Sequence, residues 1–238
     1  MAYEGETDPG LADLAEEVAW AETGRLWDMF RFFKAHDVGQ AVMAGGMTKT
    51  DIFGRLRPDE RFLSVMERVE DMHDDHLLRA LAEEFEKEGI VIKPSTLFTP
   101  QLFAPEGVLT VRGPSPEEMT DVEFGWRAAK SLGSLDIGQC VVVRGLTVLA
   151  LEAIEGTNEA IRRGGRLGRE KAVVVKVSKP DQDMRFDVPS VGPETVAVMA
   201  EVKASVLVLE ADRTLLFDRE EMIAAADRAG IAIVVRRG

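Results

Sequence analysis

Two aspartates and an arginine lie a few residues after a run of valines, and their spacing suits chemistry. Asp183, Arg185 and Asp187 alternate with apolar residues, so an extended segment would place all three charged side chains on one side. Two carboxylates can ligate a divalent cation, and a guanidinium can bind a phosphate through paired hydrogen bonds. The pattern therefore predicts a joint site for a metal ion and a phosphate, although such alternation is also typical of a solvated strand edge.

A buried strand is predicted to position these residues. Residues 173–177 are mainly valine, which favours a strand, and Pro180 ends the ladder because proline has no N–H to donate. Lys176 and Lys179 add positive charge at this exit. Further along, Pro193 follows a glycine and predicts the start of a helix, whose free N–H groups favour an anion.

Composition excludes several classes of protein. The chain has 238 residues with 45% hydrophobic content, which is enough for two modest domains with real cores. Its formal net charge of −13 disfavours nonspecific nucleic-acid binding, so no nucleic-acid partner is expected. Cys140 is the only cysteine, which rules out an internal disulfide and predicts a buried, inert thiol. No signal peptide or membrane-spanning stretch is recognisable, and a cytoplasmic location fits.

The first half alternates helices with short apolar strands. Helices are predicted at residues 26–33, 59–69 and 74–88, with a weaker helical pattern from Leu11 to Val18. Buried strands are predicted at 40–44 and from Ile90. This order predicts a parallel, doubly wound sheet. Two glycines, Gly45 and Gly46, follow the first strand and would let the backbone approach a ligand, although a plain turn explains them equally.

Two of the three histidines lie at the start of the helix predicted from residue 74. His73 and His76 flank Asp74 and Asp75, so the cluster contains residue types that bind metals. Acidic residues at a helix start also simply complement the helix dipole. A carboxylate that contacts substrate is the functional interpretation we carry forward for Asp74 and Asp75.

The second half has a different organisation. Residues 96–116 are rich in proline and glycine and predict a linker between a domain at 1–95 and a domain at 117–238. Ser115 and Glu118 predict a capping box for a helix at 116–132. An antiparallel strand pair is predicted at 140–143 and 147–153. Three further strands are expected near the C-terminus, at 205–209, 214–217 and 231–235. A helix is expected between the last two of them, at 219–229.

A helix rich in arginine and glycine follows the antiparallel pair. It contains four arginines among glycines, which predicts a mobile basic patch. The patch could be a solvated face, or it could contact phosphate or an anionic membrane surface. Its arginines are Arg162, Arg163, Arg166 and Arg169.

Several long motifs resemble a known family when taken in order. They are APEGVLT at 104–110, DIGQCVVV at 136–143, LEAIEGTNEAI at 151–161 and VKVSKPDQDMRFDVPSVGPET at 175–195. Together they resemble the UDP-2,3-diacylglucosamine pyrophosphatases of the LpxI type, which act in lipid A synthesis. The VMAGG segment at 42–46 and the helix from residue 74 resemble that family as well.

The resemblance implies an activity and a fold. The implied reaction is Mg²⁺-dependent hydrolysis of UDP-2,3-diacylglucosamine to UMP and 2,3-diacylglucosamine 1-phosphate. The implied fold is α/β with two domains, an incomplete Rossmann-like N-terminal domain and a mixed-sheet C-terminal domain, with substrate held between them. The implied location is the cytoplasm, peripherally against the inner membrane of a Gram-negative bacterium.

The resemblance also implies roles for particular residues. Asp183, the aspartate of the Gln-Asp pair, would carry catalysis or hold Mg²⁺, and Asp187 is the second candidate for both roles. Motifs of the unrelated two-metal phosphoesterases, GDxxH and GNHE, do not occur in the chain. The substrate-binding candidates are Gly45, Gly46, Asp74, Asp75, Gln139, Glu155, Gly156, Thr157, Lys176, Lys179, Gln182, Arg185 and Thr195.

The chain departs from the family pattern at its start. Family members carry a strand, a glycine-rich turn, a helix and a second strand ahead of the segment that resembles residues 4–9, so the first domain is expected to lack a βαβ unit. A misassigned start, a shortened chain and lost activity would each explain this. Two other functions therefore stay open: hydrolysis of another nucleotide-linked diphosphate, and non-catalytic binding of a nucleotide sugar or lipid.

Overall fold

The protein consists of two compact units. The structure, a computed structural model, describes residues 1–45, 56–69 and 74–238, except the side chains of Asp74 and Asp75. The first unit spans Met1–Leu97 and the second spans Phe98–Gly238. Both combine helices with strands, as the sequence predicted.

The first unit contains two short parallel strand pairs among helices. Strand β1 pairs with β2, and β3 pairs with β4, in parallel in both cases. Parallel pairing fits the predicted alternation, because helices connect β3 to β4. The described elements are β1 Ala2–Tyr3, β2 Trp20–Ala21, α1 Leu26–Ala35, β3 Gln40–Val42, α2 Glu60–Met66, α3 Asp74–Lys87 and β4 Val91–Lys93.

Aromatic packing builds the core of this unit. Phe30 of α1 and Phe85 of α3 meet edge to face, with ring centroids 5.0 Å apart, and both are buried. The predicted buried strand at 40–44 is wrong in one respect, because β3 is partly exposed and Val42 is 42% accessible. The predicted helical pattern from Leu11 to Val18 is also wrong: Pro9–Leu14 forms a short 3₁₀ helix with no buried residue.

Basic side chains surround a buried carboxylate in the first unit. The Glu84 side chain is 3% exposed and accepts hydrogen bonds from Arg61, Arg68 and Lys87. Burial by itself raises the pKa of Glu84, but the bonds from Arg68, Lys87 and Arg61 outweigh it and lower the pKa to about 2. The charged form of Glu84 therefore stabilises the fold.

We expect Glu84→Gln to make the first unit less stable at pH 7 but not at pH 2. The folded-state pKa is depressed from 4.5, so the stabilisation is complete above the unfolded pKa and disappears as pH falls from 4.5 to about 2. Thermal melts of wild type and variant across this range measure the difference. The exposed neighbour Glu83 on the same helix provides the control. An equal gap between wild type and Glu84→Gln at both pH values would contradict the assignment.

A six-stranded mixed sheet forms the second unit. Its spatial order is β5-β12-β10-β8-β6-β7, with β8, β10 and β12 parallel and the other three strands antiparallel to their neighbours. Beside it, β9 and β11 form a short parallel pair. The strands are β5 Gly107–Val108, β6 Cys140–Arg144, β7 Thr147–Leu151, β8 Val173–Lys176, β9 Ser190–Val191, β10 Val206–Glu210, β11 Leu215–Leu216 and β12 Ala232–Arg236.

Helices cover both faces of this sheet. Helix α4, Pro116–Ser134, packs on one face through residues such as Trp126, while α5 (Thr157–Gly168), α6 (Pro193–Glu201) and α7 (Arg219–Ala229) pack on the other. The sheet residues alternate between the two cores, since successive side chains of a strand point to opposite faces. The predicted capping box of Ser115 and Glu118 is confirmed at the start of α4.

The glycines of α5 belong to the core, so the expectation of a mobile patch is wrong. A Cβ on Gly164 would lie 2.6 Å from the Cβ of Val142, and one on Gly165 would lie 2.2 Å from a methyl of Val202. These glycines let α5 approach the sheet and α6 closely. Their role is close packing, and the helix they belong to is fixed against the core.

Residues 98–116, which the sequence placed in a linker, lie in the second unit. Strand β5 pairs with β12, and Ala104 is fully buried. The backbone N–H of Ala104 also donates to the carbonyl of Thr214. Prolines and glycines here shape an extended segment that lies along the sheet edge.

Candidate active site

Polar side chains gather at the carboxyl edge of the parallel strands. Strands β8 and β10 end there with Lys176 and Glu210, and the antiparallel β6 starts there with Cys140, which pairs with Lys176. Helix α5 begins on the same side because it follows β7, which ends at this edge. Helix α6 also begins there, because the segment that leads to it leaves this edge after β8. Open α/β sheets bind ligands at this edge.

The segment after Pro180 turns back on itself, so the predicted extended alternation is wrong. The N–H of Asp187 donates to the carbonyl of Asp183 at 3.0 Å, which closes a turn around Met184–Phe186. The cause is local: the Asp183 carboxylate also accepts from the backbone N–H of Arg185 at 3.1 Å, a turn that short acidic side chains favour.

Asp183 and Arg185 form a forked ion pair within this turn. Arg185 Nη2 lies 2.8 Å from Asp183 Oδ2, and its Nε lies 3.0 Å from Oδ1. The Asp183 side chain is 15% exposed, so it is largely enclosed and still accessible at the edge. The guanidinium also stacks near the Phe186 ring, 5.3 Å from its centroid. The pair therefore holds the Asp183 carboxylate in one orientation.

Gln182 connects the turn to the end of β8. Its side chain is buried, and its Oε1 accepts from the N–H of Lys179 at 2.9 Å and from the hydroxyl of Ser178 at 3.1 Å. Its Nε2 donates to Asp187 Oδ2 at 2.7 Å. Gln182 thus orients Asp187 and fixes the loop that carries Asp183.

Two lysines bring positive charge to the same edge. Lys176 is buried, with Nζ donating to the carbonyl of Ser190 at 2.8 Å, and Lys179 forms an ion pair with Asp136. Lys176 therefore connects β8 to β9, just before α6. Lys179 connects the same segment to the loop before β6.

Gln139 and Thr157 meet at Glu152, which is buried at the end of β7. The N–H of Gln139 donates to Glu152 Oε2 at 3.1 Å, and the Thr157 hydroxyl donates to Oε1 at 2.7 Å. The buried Oε1 of Gln139 has no hydrogen-bond donor among the described residues. A buried acceptor without a donor is available to a ligand N–H or O–H.

Sequence reasoning missed a buried ion pair beneath the site. Lys130 of α4 binds both oxygens of Glu210 at 2.7 Å and the carbonyl of Ser178 at 3.0 Å. Glu210 also accepts from the N–H of Ser178 at 2.8 Å. One signal was available: an acidic residue ends the apolar run of β10, at the edge where parallel sheets place ligands.

The remaining candidates make other contacts or lie outside the described residues. Glu155 turns to Arg163; its pKa is lowered by a hydrogen bond to its own backbone and then by Arg163. Gly156 caps α5 with a φ of +81°, and Thr195 is buried in α6. Gly45, in the first unit, is exposed with a φ of +105°. Gly46, His73 and the side chains of Asp74 and Asp75 lie outside the described residues.

Asp183 and Asp187 supply the oxygen donors that a hard cation requires. Among the described residues, no group of three His, Cys, Asp or Glu side chains is arranged to hold a metal ion. Mg²⁺ commonly uses only one or two carboxylates, together with water and substrate phosphate oxygens. The donor chemistry of these two carboxylates fits that requirement, while Arg185 already binds both oxygens of Asp183.

Two further expectations concern the thiol and the membrane. Cys140 is fully buried, and burial raises the pKa of its thiol well above its usual range, which confirms an inert role. In the part of the chain that the structure describes, no helix has the length and apolarity to cross a bilayer.

Comparisons with known proteins agree with the sequence motifs. Residues 1–102 match the family described as the LpxI N-terminal domain, and residues 105–234 match the LpxI C-terminal domain. A protein of Caulobacter vibrioides named UDP-2,3-diacylglucosamine pyrophosphatase LpxI is 36% identical over 222 residues. That alignment covers 89% of this chain and 79% of the Caulobacter protein.

Proposed function

The chain belongs to the LpxI family, and on that premise we propose that it hydrolyses the pyrophosphate bond of UDP-2,3-diacylglucosamine in lipid A biosynthesis. The products are UMP and 2,3-diacylglucosamine 1-phosphate, because cleavage between the two phosphorus atoms leaves one phosphate on each side. The observation that carries this proposal is the 36% identity to the Caulobacter pyrophosphatase across 79% of that protein.

The carboxyl edge of the second unit suits this reaction. Asp183 accepts a proton from the attacking water or orients it, and Arg185 keeps the carboxylate in place for that role. Lys176 and Lys179 bring positive charge toward a diphosphate at the same edge. The unpaired side-chain oxygen of Gln139 accepts a hydrogen bond from a donor group of the substrate.

Mg²⁺ is the cofactor we propose, held by Asp183 and Asp187. When bound, the ion offsets the negative charge that develops on the pyrophosphate. Gln182 contributes indirectly. Its amide donates to Asp187 Oδ2, so the other carboxylate oxygen of Asp187 is the one that stays available to the ion.

For the first unit we propose a Rossmann-like domain. The parallel pairing of β3 and β4, with helices α2 and α3 between them in sequence, supports this assignment. Gly45, three residues after the end of β3, has the positive φ that lets a loop approach a nucleotide.

Incubation with UDP-2,3-diacylglucosamine and Mg²⁺ tests the function. We expect release of UMP, measured by chromatography, and little release from UDP-N-acetylglucosamine, which lacks the two long acyl chains. Release only from simpler UDP-sugars would assign a different diphosphate hydrolase. Saturable binding of the lipid substrate without turnover would assign a binding protein instead.

A two-chain lipid substrate also requires contact with a membrane surface, so we propose peripheral binding to the inner membrane. The protein is expected to sediment with vesicles that contain UDP-2,3-diacylglucosamine and anionic lipid, and less with vesicles of neutral lipid alone. Recovery of all the protein in the supernatant with both vesicle types would overturn this proposal.

A further inference from the structure

A cavity lies at the amino edge of the sheet, opposite the candidate active site. It has a volume of about 430 Å³ and lies where β8, β10 and β12 begin. These strands are about 15 Å long, so the cavity is separated from the carboxyl edge by the length of the sheet. Its lining residues are Arg112, Glu118, Lys171, Ala200, Lys203, Ala204, Ser205, Ala229 and Gly230.

A second cavity of about 290 Å³ adjoins the first and shares Lys203 with it. It adds Arg166 and Arg169 from α5 and its C-terminal end. The single acid at this second cavity, Glu201, already pairs with Arg162 at 3.1 Å. Positive charge therefore exceeds negative charge around the two cavities, in a chain whose net charge is −13.

Four of these cations have no ion-pair partner in the described ranges 1–45, 56–69 and 74–238. They are Arg166, Arg169, Lys171 and Lys203. Their neighbours on the same helix differ, because Arg162 pairs with Glu159 and Glu201, and Arg163 pairs with Glu155. The predicted basic patch thus divides into a paired half and an unpaired half, and only the unpaired half faces the cavities.

The backbone at these cations adopts an unfavourable conformation. Arg169, Lys171 and Lys203 have φ values of +67°, +55° and +55°, in the region that glycine occupies most easily. Lys171 and Lys203 are also held together, since the N–H of Lys171 donates to the carbonyl of Lys203 at 2.7 Å. Positive φ values also occur at Asp37, Asp136, Leu146, Asp212 and Asp218, so here they only fix where the three cations lie beside the cavities.

The remaining walls limit what the cavity can hold. Ala200, Ala204 and Ala229 have short side chains, so they leave the interior open and partly apolar. The charge of Arg112 is neutralised by Glu118, because Arg112 donates to both carboxylate oxygens of Glu118. The free charge is therefore that of Lys171 and Lys203, with Arg166 and Arg169 next to them.

We propose that this cavity binds a small phosphate-bearing molecule, of the size of a sugar phosphate or a mononucleotide. Unpaired ammonium and guanidinium groups are the usual partners of phosphate oxygens, and the volume lies in the range of small-ligand sites. The site is separate from the catalytic edge and does not depend on the proposed reaction.

Titration of the labelled full chain with glucose 1-phosphate at constant ionic strength tests this proposal. We expect saturable shifts of the backbone amide signals of Lys203, Gly165 and Gly230 in NMR spectra, and none with glucose. Asp183→Asn should leave these shifts unchanged. Shifts confined to the carboxyl edge, or shifts that do not saturate, would overturn the proposal.

Matched variants separate binding from general charge. Lys203→Met should weaken the affinity about tenfold, Lys203→Arg should retain it, and Arg127→Met should leave it unchanged although it also removes one cation. Ala229→Met should weaken binding without any change of charge, because the longer side chain enters the cavity. Cations at helix C-termini also stabilise helices. If Lys203→Met lowers only the melting temperature, or if Ala229→Met has no effect on affinity, the cavity is not a phosphate site.

Discussion

Asp183→Asn is expected to lower kcat for UDP-2,3-diacylglucosamine at least a hundredfold and to leave substrate affinity nearly unchanged. Loss of a general base usually costs about 10² to 10⁴ in rate. Asparagine has almost the same shape, and its carbonyl can still accept from Arg185, so the turn after Pro180 should persist. Single-turnover rates and equilibrium binding of the substrate measure the two effects separately. Asp183→Ala should have the same effect on turnover.

A matched control lies two residues away. Asp181 is exposed on the same loop, and Asp181→Asn removes one carboxylate charge there while the carboxylate of Asp183 itself is kept. Normal turnover is expected for that variant. Retained activity in Asp183→Asn and Asp183→Ala would move the catalytic assignment to Asp187, whose carboxylate Gln182 already orients.

A purely structural role for Asp183 makes a different prediction. If the carboxylate only anchors Arg185, then Arg185→Met should lower the melting temperature and kcat as much as Asp183→Asn does. If Asp183 takes the proton, Arg185→Met should retain more activity, and its pH–rate profile should shift because the guanidinium no longer lies beside the carboxylate.

The longer elements could be predicted from sequence because each has a local cause. The apolar periodicity of Leu26–Ala35, the capping box before Pro116–Ser134 and the valine run of Val173–Lys176 act within a few residues of chain. The motifs also located the loop that carries Asp183. These features need no knowledge of which strands meet.

The details of the site depend on contacts that a linear pattern does not contain. Alternation predicted an extended segment at 183–187, but the backbone N–H of Arg185 donates a hydrogen bond to the Asp183 carboxylate, which favours a turn and overrides the alternation. The pair of Lys130 and Glu210 joins residues 80 positions apart, so only the sheet order brings it together. The glycines of α5 predicted mobility, whereas a side chain at Gly164, Gly165 or Gly168 would collide with Val142, Val202 or Leu149, respectively.

Gly138→Ala is expected to destabilise the second unit and to reduce activity at the same time. A Cβ at this position would lie 2.3 Å from the carbonyl oxygen of Glu152 and 2.8 Å from its carbonyl carbon. Both atoms are backbone, so no rotamer change can relieve the collision, and β6 and β7 must separate at their shared end. Overpacking of this kind costs about 1–3 kcal/mol.

The same displacement connects stability to the site. The displacement would move the Glu152 carboxylate away from the Gln139 N–H, now at 3.1 Å, and from the Thr157 hydroxyl, now at 2.7 Å. Affinity for the substrate should therefore fall together with the melting temperature. Calorimetry and substrate binding measure the two effects. Gly113→Ala is the matched control, because no heavy atom lies within 4 Å of its added Cβ and its φ is not positive. Equal melting temperatures for the two variants would show that β6 and β7 can separate without cost, and a loss of stability with unchanged affinity would exclude Gln139 and Thr157 from substrate binding.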